Sequence, residues 1–139
     1  MPKTITQKIL FKNTTPKVLF DLYTNSKKHS LSTGADAKIS TKTGGSFSAH
    51  GGYISGINLH FVKNKLIVQT WRGSNWEKED EDSIFILLIE PKGKDSILYV
   101  THANLPDVHA ASIDKGWHDY YWKPWKIFLS GKIINYIEM

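Results

Sequence analysis

The segment that most restricts the fold is GWHDYYWKPW, residues 116–125, which places five large aromatic rings within ten residues. On a wheel of 100° per residue, one face of a helix carries Ile113, Trp117, Tyr121, Trp125 and Phe128, with Tyr120 and Trp122 on its two flanks. Each such ring buries about 150–250 Å². The pattern therefore predicts a helix over residues 109–127 or beyond that needs a broad apolar cover.

Pro124 interrupts this helix in the predicted pattern. It has no N–H to bond the carbonyl of Tyr120, so we expect a kink or a restart at this point.

The first forty residues predict one strand and one or two short helices. Residues 4–12 alternate apolar and polar side chains, which indicates a half-buried strand. Thr14 or Thr15 is the predicted N-cap of a helix with Pro16 at its first position. Its predicted apolar face consists of Val18, Leu19, Leu22 and Tyr23. The polar stretch that follows allows one further helical turn before a break near Gly34.

The middle of the chain predicts strands separated by glycine-rich or charged turns. The predicted strands are residues 37–40, 46–50, 53–62, 66–71, 83–90 and 96–104. In residues 53–62, alternation places Tyr53, Ile57, Leu59 and Phe61 on one side and Ile54, Asn58, His60 and Val62 on the other. With the terminal elements, this order predicts an α+β layer fold of one domain, residues 1–139, in which a long helix covers an antiparallel sheet.

Sheet twist carries strand ends away from a covering helix, so a cleft is expected between the two layers. Trp117 and Tyr121 are the predicted wall on the helix, facing Trp71, Tyr99 or His60 on the sheet. The same rings could instead fill the core, and this alternative stays open at the sequence level.

Composition excludes several classes of function. The chain has no cysteine, which rules out disulfides, thiolate metal sites and a cysteine nucleophile. Seventeen of its eighteen basic residues are lysines, a poor match to nucleic-acid recognition, for which arginine is favoured. The longest apolar run, residues 84–89, is far below the ~20 residues of a membrane span. We therefore expect a cytoplasmic protein with neither a nucleic-acid partner nor a membrane partner.

No sequence motif indicates catalysis, a cofactor or a metal. His60, His102 and His118 lie on different elements without metal-ligand spacing, and GxSxG, GxGxxG and GxxxxGK[ST] are absent. The acidic residues 77–82, EKEDED, are either a solvated turn or a docking patch for a basic partner.

Three segments resemble one known family. QTWRGSNW (residues 69–76), GGSFSAHGGYISGI (44–57) and GWHDYYWKPWK (116–126) are similar to the C-terminal-type domain of the activators of heat shock protein 90 ATPase. That domain belongs to the START-like, or SRPBCC, superfamily. The resemblance covers nearly the whole chain and implies a helix-grip fold, in which a curved antiparallel sheet wraps around a long C-terminal helix and leaves a hydrophobic cavity.

The resemblance and the aromatic helix together predict the site and its alternatives. The candidate ligand-binding residues are Trp71, Trp117 and Tyr121, followed by Tyr99, His60 and His102. The leading hypothesis is a protein that binds a small hydrophobic molecule in this cavity. The second is a chaperone-associated module, although 139 residues leave no room for the separate N-terminal domain of eukaryotic activators. The third is a cyclase- or hydrolase-like enzyme with His60 or His102 as general base. The chain is expected to be a monomer or a homodimer.

Overall fold

A computed structural model describes residues 1–131, whose strands form one seven-stranded antiparallel sheet. The strands are β1 (Lys3–Phe11), β2 (Lys38–Ile39), β3 (Ser46–Ala49), β4 (Ile54–Val62), β5 (Leu66–Gly73), β6 (Ser83–Lys92) and β7 (Asp95–Leu105). Their order across the sheet is β1-β7-β6-β5-β4-β3-β2. All seven predicted strands are confirmed, and successive strands from β2 to β7 are neighbours joined by turns and loops of two to nine residues.

The helices lie on one face of this sheet and enclose the core with it. They are α1 (Pro16–Thr24), α2 (Ser26–Thr33), α3 (Asp107–Trp117) and α4 (Lys123–Leu129), with a π-helical segment at His118–Trp122 between the last two. The predicted α+β architecture, with the sheet around a long C-terminal helix, is confirmed. Any extension of that helix beyond residue 131 lies outside the described residues. None of the helices in this part of the chain is long and apolar enough to cross a membrane.

The short helices α1 and α2 are defined by their caps. Thr15 is the N-cap of α1, because its Oγ1 accepts the N–H of Val18 at 3.3 Å. Val18 was predicted on the apolar face of α1, but it is 38% exposed beside a groove between β1 and the C-terminal helix, and Phe20 is buried instead. Helix α2 is longer than the single predicted turn, because Asn25 caps its start and Gly34, at φ 76°, caps its end.

Strand β4 departs from strict alternation at a β-bulge between Asn58 and His60. Up to Asn58 the inward positions follow the predicted pattern. The bulge then leaves Leu59 and His60 both exposed, and it turns Phe61 inward against Phe20, with ring centroids 6.3 Å apart. The predicted faces of His60 and Phe61 were therefore wrong, because an extra residue reverses the face of every position after it.

The expected interruption at Pro124 is confirmed as a π-helical turn rather than a sharp kink. The N–H of Lys123 bonds the carbonyl of His118, five residues back. In an α-helix, residues five apart lie about 140° apart around the axis. The wider turn brings Trp122 over Trp117, and the two indoles stack at 5.5 Å with an interplanar angle of 12°. Trp122 therefore lies in the core, not on a flank.

A polar bridge fixes this helix to the first strand. The Nε1–H of Trp122 donates to Oε1 of Gln7 at 2.7 Å. Nε2 of Gln7 then donates to the backbone oxygen and to Oδ1 of Asp114, at 2.9 and 2.7 Å. A single amide from β1 thus ties the two halves of the interrupted helix together.

Replacement of Trp122 by alanine is expected to lower the free energy of unfolding by about 3–5 kcal/mol, since it removes a buried stacked ring and the bond to Gln7. The matched control is Tyr120→Ala, two residues away and 63% exposed, with an expected change of about 0.5 kcal/mol or less. Urea denaturation of both variants measures the difference. Equal losses would contradict the placement of Trp122 in the core.

Candidate ligand-binding cleft

A cleft of about 530 Å³ lies between the C-terminal helix and one end of the sheet. On the helix side its walls come from residues 112–121 of α3 and the π-helical segment. On the sheet side they come from the turn after β3, the start of β4, and Trp71 of β5. The volume is within the range of about 300–1,000 Å³ that is usual for small-molecule sites.

The floor of the cleft consists of three buried aromatic rings, Trp71, Trp117 and Tyr121. The ring of Trp117 lies 5.9 Å from that of Trp71 and 4.7 Å from that of Tyr121. Behind it, Phe85 stacks on Trp117 at 4.3 Å. Each ring is held by another ring, so the floor is a rigid apolar surface.

A left-handed turn forms the opposite wall. His50, Gly51 and Gly52 have φ values of 51°, 65° and 95°. Glycine adopts such angles without strain, but histidine does so at a cost. This turn places the His50 ring 5.1 Å from Tyr121 and 5.8 Å from Tyr120, which is exposed at the rim. Partial burial lowers the pKa of His50, so its imidazole is neutral near pH 7.

Two buried polar atoms of the lining have no hydrogen-bond partner among residues 1–131: Nε1 of Trp71 and Nε2 of His50. The indole nitrogen can only donate, whereas the imidazole nitrogen can donate or accept, depending on the tautomer. A buried polar group without a partner costs about 1–3 kcal/mol. Both atoms lie on rings that line the cleft, and a guest that displaces their present neighbours would give each of them a partner.

His102 supports the floor from behind and is fully buried. Its Nδ1 accepts the Nε1–H of Trp117 at 3.0 Å, and its Nε2 lies 2.8 Å from Oγ of Ser83. The Ser83 hydroxyl donates to the carbonyl oxygen of Trp71 at 2.7 Å, so Nε2 carries the proton. The relay thus joins the two tryptophans. Burial lowers the pKa of His102 to about 3, which keeps the imidazole neutral.

A second buried relay holds Tyr121. His29 donates from Nδ1 to the carbonyl oxygen of Tyr23 at 2.8 Å, so its Nε2 accepts the hydroxyl of Tyr121 at 2.9 Å. Desolvation by burial, opposed by the bond to Tyr23 and assisted by His50, lowers the pKa of His29 to about 4. Tyr23 in turn donates to Gln69 at 2.9 Å, and Gln69 donates to Asn58 at 2.8 Å.

The structure brings together three of the six residues predicted for the site. Trp71, Trp117 and Tyr121 line the cleft, whereas His102 lies behind it as a hydrogen-bond relay. Two do not lie in it: His60 is exposed beyond the β4 bulge, and Tyr99 is on the outer face of β7 with Nζ of Lys8 5.7 Å from its ring. Neither His60 nor His102 is therefore placed as a general base in the cleft.

The sequence interpretation missed His50, Tyr53 and Tyr120 in the lining and His29 beneath it. The only sequence signal for His50 was the pair of glycines that follows it, which indicates a turn but not what that turn faces. Within residues 1–131 no group of three or more histidine, aspartate or glutamate side chains is arranged to hold a metal ion.

The comparison with protein-family models matches residues 13–124 to the family described as activator of Hsp90 ATPase homolog 1-like protein. The chain belongs to this family. A curated relative, the activator of 90 kDa heat shock protein ATPase homolog of Dictyostelium discoideum, is 29% identical over 102 residues. That match covers 73% of this chain but only 27% of the relative, so the chain spans about a quarter of its length.

Solved structures confirm the helix-grip fold. An Hsp90 activator from Plasmodium falciparum is 25% identical, with a TM-score of 0.83 over 91% of this chain and 96% of that one. The protein CalU16 from Micromonospora echinospora is 16% identical, with a TM-score of 0.78 over 96% of this chain and 80% of that one, a likeness of fold alone.

His29 and His102 are both buried as neutral imidazoles. We therefore expect the free energy of unfolding to fall as the pH drops below about 6.5, the usual histidine pKa. Their folded-state pKa values of about 4 and about 3 are lower, so in this window the unfolded chain binds protons that the folded chain does not. Each histidine then contributes a slope of about 1.4 kcal/mol per pH unit.

His102→Asn is expected to remove the contribution of one histidine while keeping an acceptor for Trp117. Urea unfolding between about pH 5 and pH 7.5 measures the slope, above the range in which most carboxylates titrate. A slope equal to that of the unsubstituted protein would show that His102 is not buried as a neutral imidazole.

Proposed function

We propose that the chain binds a small, uncharged, largely apolar molecule that carries a hydroxyl or carbonyl oxygen. The observation that carries this proposal is the unpartnered indole N–H of Trp71, on a ring that lines an aromatic cleft of about 530 Å³. The rings supply apolar area, and the oxygen of the guest accepts from Trp71. A site built in this way selects a guest with that oxygen, because its absence leaves a buried donor unpaired.

The charges of the lining favour a guest without charge. The ammonium of Lys115 is paired with the carboxylate of Asp119, which also bonds Nζ of Lys123 at 3.2 Å. His50 is neutral near pH 7, because burial lowers its pKa. No cation or anion of the described lining is thus left unpaired, and a charged guest would lose its hydration without a counter-ion in return.

Three ring-matched probes test the chemistry of the guest: 2-naphthol, naphthalene and 2-naphthoate. We expect 2-naphthol to bind about fivefold more tightly than naphthalene, since one net hydrogen bond contributes about 1 kcal/mol. We expect 2-naphthoate to bind more weakly than 2-naphthol. Titration followed by tryptophan fluorescence or calorimetry gives the three dissociation constants.

The discriminating variant is Trp71→Phe, which keeps a ring but removes the N–H and is expected to equalise 2-naphthol and naphthalene. Its matched control is Trp76→Phe, which alters another buried indole without a partner that does not line the cleft. A preference for 2-naphthol that survives in Trp71→Phe would contradict the proposed role. Native mass spectrometry of the protein purified from its own host then identifies a retained guest.

A second candidate function, a chaperone-associated module, is favoured by the comparisons. The Plasmodium falciparum chain described as an Hsp90 activator is matched over 96% of its length. A chain of about this size is therefore described as an Hsp90 activator in that organism. The acidic loop after β5 is a candidate contact for a basic partner. Arg72 orders this loop by donating to the backbone oxygens of Asp80 and Glu77 at 2.6 and 2.5 Å.

If this second function holds, addition of the chain should raise the ATP hydrolysis rate of the Hsp90-type chaperone of its host. Reversal of charge in the loop by Glu79→Lys with Glu81→Lys is expected to abolish the increase. Glu90→Lys, an exposed acid at the opposite end of the sheet, is the control and should keep it. An ATPase rate that does not respond to the unsubstituted chain would exclude this function.

A further inference from the structure

Part of the outer face of the sheet, in β4, β5 and β6, is apolar, whereas a face in contact with water is usually polar. Strand β6 contains the continuous apolar run IFILLI, residues 84–89. Phe85, Leu87 and Ile89 are buried in the core, whereas Ile84, Ile86 and Leu88 alternate with them on the opposite face. Such a run is typical of a strand that is covered on both faces. Among residues 1–131, helices cover only the inner face.

The strand register extends this surface across neighbouring strands. Leu66 and Val68 of β5 pair with Leu88 and Ile86, and Val62 of β4 pairs with Leu66. We call the resulting surface the outer apolar patch: Val62, Leu66, Val68, Ile84, Ile86 and Leu88. None of the six belongs to the core cluster, and all keep some exposure to solvent. A contiguous apolar surface of this kind marks an interaction site.

The two ends of the patch carry opposite charge. At one end, four exposed lysines at or beside the turns after β4 and β6, Lys63, Lys65, Lys92 and Lys94, outnumber the two acids of the same end, Glu90 and Asp95. At the other end, the loop between β5 and β6 contains five acids and one lysine in residues 77–82. The sheet is thus basic at one end of its strands and acidic at the other.

We propose that the outer apolar patch is the interface of a symmetric homodimer. In it, two sheets pack face to face, and each strand runs antiparallel to the same strand of the other copy. A two-fold axis that lies between the sheets and across the strands produces this arrangement. It places the basic end of each copy against the acidic end of the other. A two-fold axis along the strands would instead bring like charges together, so the charges select the first orientation.

The outer face of β4, β5 and β6 supplies about half the area of a standard interface, and the turns at its two ends extend it. The three strands of the patch, at a spacing of about 4.8 Å and each about eight residues long at 3.4 Å per residue, give a flat face of roughly 400 Å². A standard interface takes about 800 Å² of accessible surface from each partner. The charged turns lie at both ends of these strands and extend the face beyond this flat area. The cleft lies on the opposite side of the sheet, so the dimer does not depend on the proposed ligand.

Sedimentation velocity of the full chain, from about 1 to 100 µM, tests the interface. The unsubstituted chain is expected to shift toward twice its mass of 15.8 kDa as the concentration rises. Ile86→Lys places a charge at the centre of the patch and is expected to raise the dissociation constant at least about 30-fold. Leu31→Lys, an equal change at an exposed apolar residue of α2, is the control and should not change it.

A charge exchange tests the orientation. Lys63→Glu with Lys65→Glu is expected to weaken the dimer, and Glu79→Lys with Glu81→Lys in the same chain is expected to restore it. A chain that stays monomeric at 100 µM, or an Ile86→Lys variant that dimerises as Leu31→Lys does, would overturn the interface. Failure of the charge exchange to restore association would overturn the antiparallel arrangement.

Discussion

The stack of Trp117 on Trp122 is the interaction on which the rest of the structure depends. It requires a wide turn in the helix, because residues five apart do not share a face of an α-helix. Pro124 removes the backbone donor that would oppose such a turn. With both indoles turned inward, Trp117 becomes part of the cleft floor and Trp122 reaches Gln7 on β1. One irregular turn therefore sets both the packing of the helix and the shape of the cleft.

Buried polar relays hold the aromatic rings in place, and they explain which donors are left over. His102 satisfies the indole of Trp117, and His29 satisfies the hydroxyl of Tyr121. The low pKa of both imidazoles follows from their burial. Each therefore stays neutral and bonds two neighbouring groups rather than acting as an acid or a base. Trp71 receives no such partner at its Nε1, although its carbonyl oxygen is bonded by Ser83. Trp76 and Trp125 also have indole nitrogens without a partner among residues 1–131, but of these three residues only Trp71 lines the cleft.

The sequence predicted the strands, the helix interruption and the three rings of the floor, because periodicity and ring density are local signals. It did not predict where His60 points, since nothing in the alternation of β4 marks the inserted residue of a bulge. The sequence named His102 as a ligand contact. Its observed role as a hydrogen-bond relay depends on the register of β5, β6 and β7, which the sequence does not show. For Pro124, a wheel of fixed angle shows an interruption without showing that the turn widens and moves Trp122 inward.

Strands β5 and β6 connect the two surfaces of the molecule. On β5, Trp71 lines the cleft on the inner face while Val68 and Leu66 lie in the outer apolar patch. Where the sheet is apolar on both faces, the proposed dimer supplies a third layer, since the helices of residues 1–131 cover only the inner face. Alternate residues of β5 therefore face two different surfaces. Its inner positions must hold rings around a cleft, and its outer positions must match a third layer.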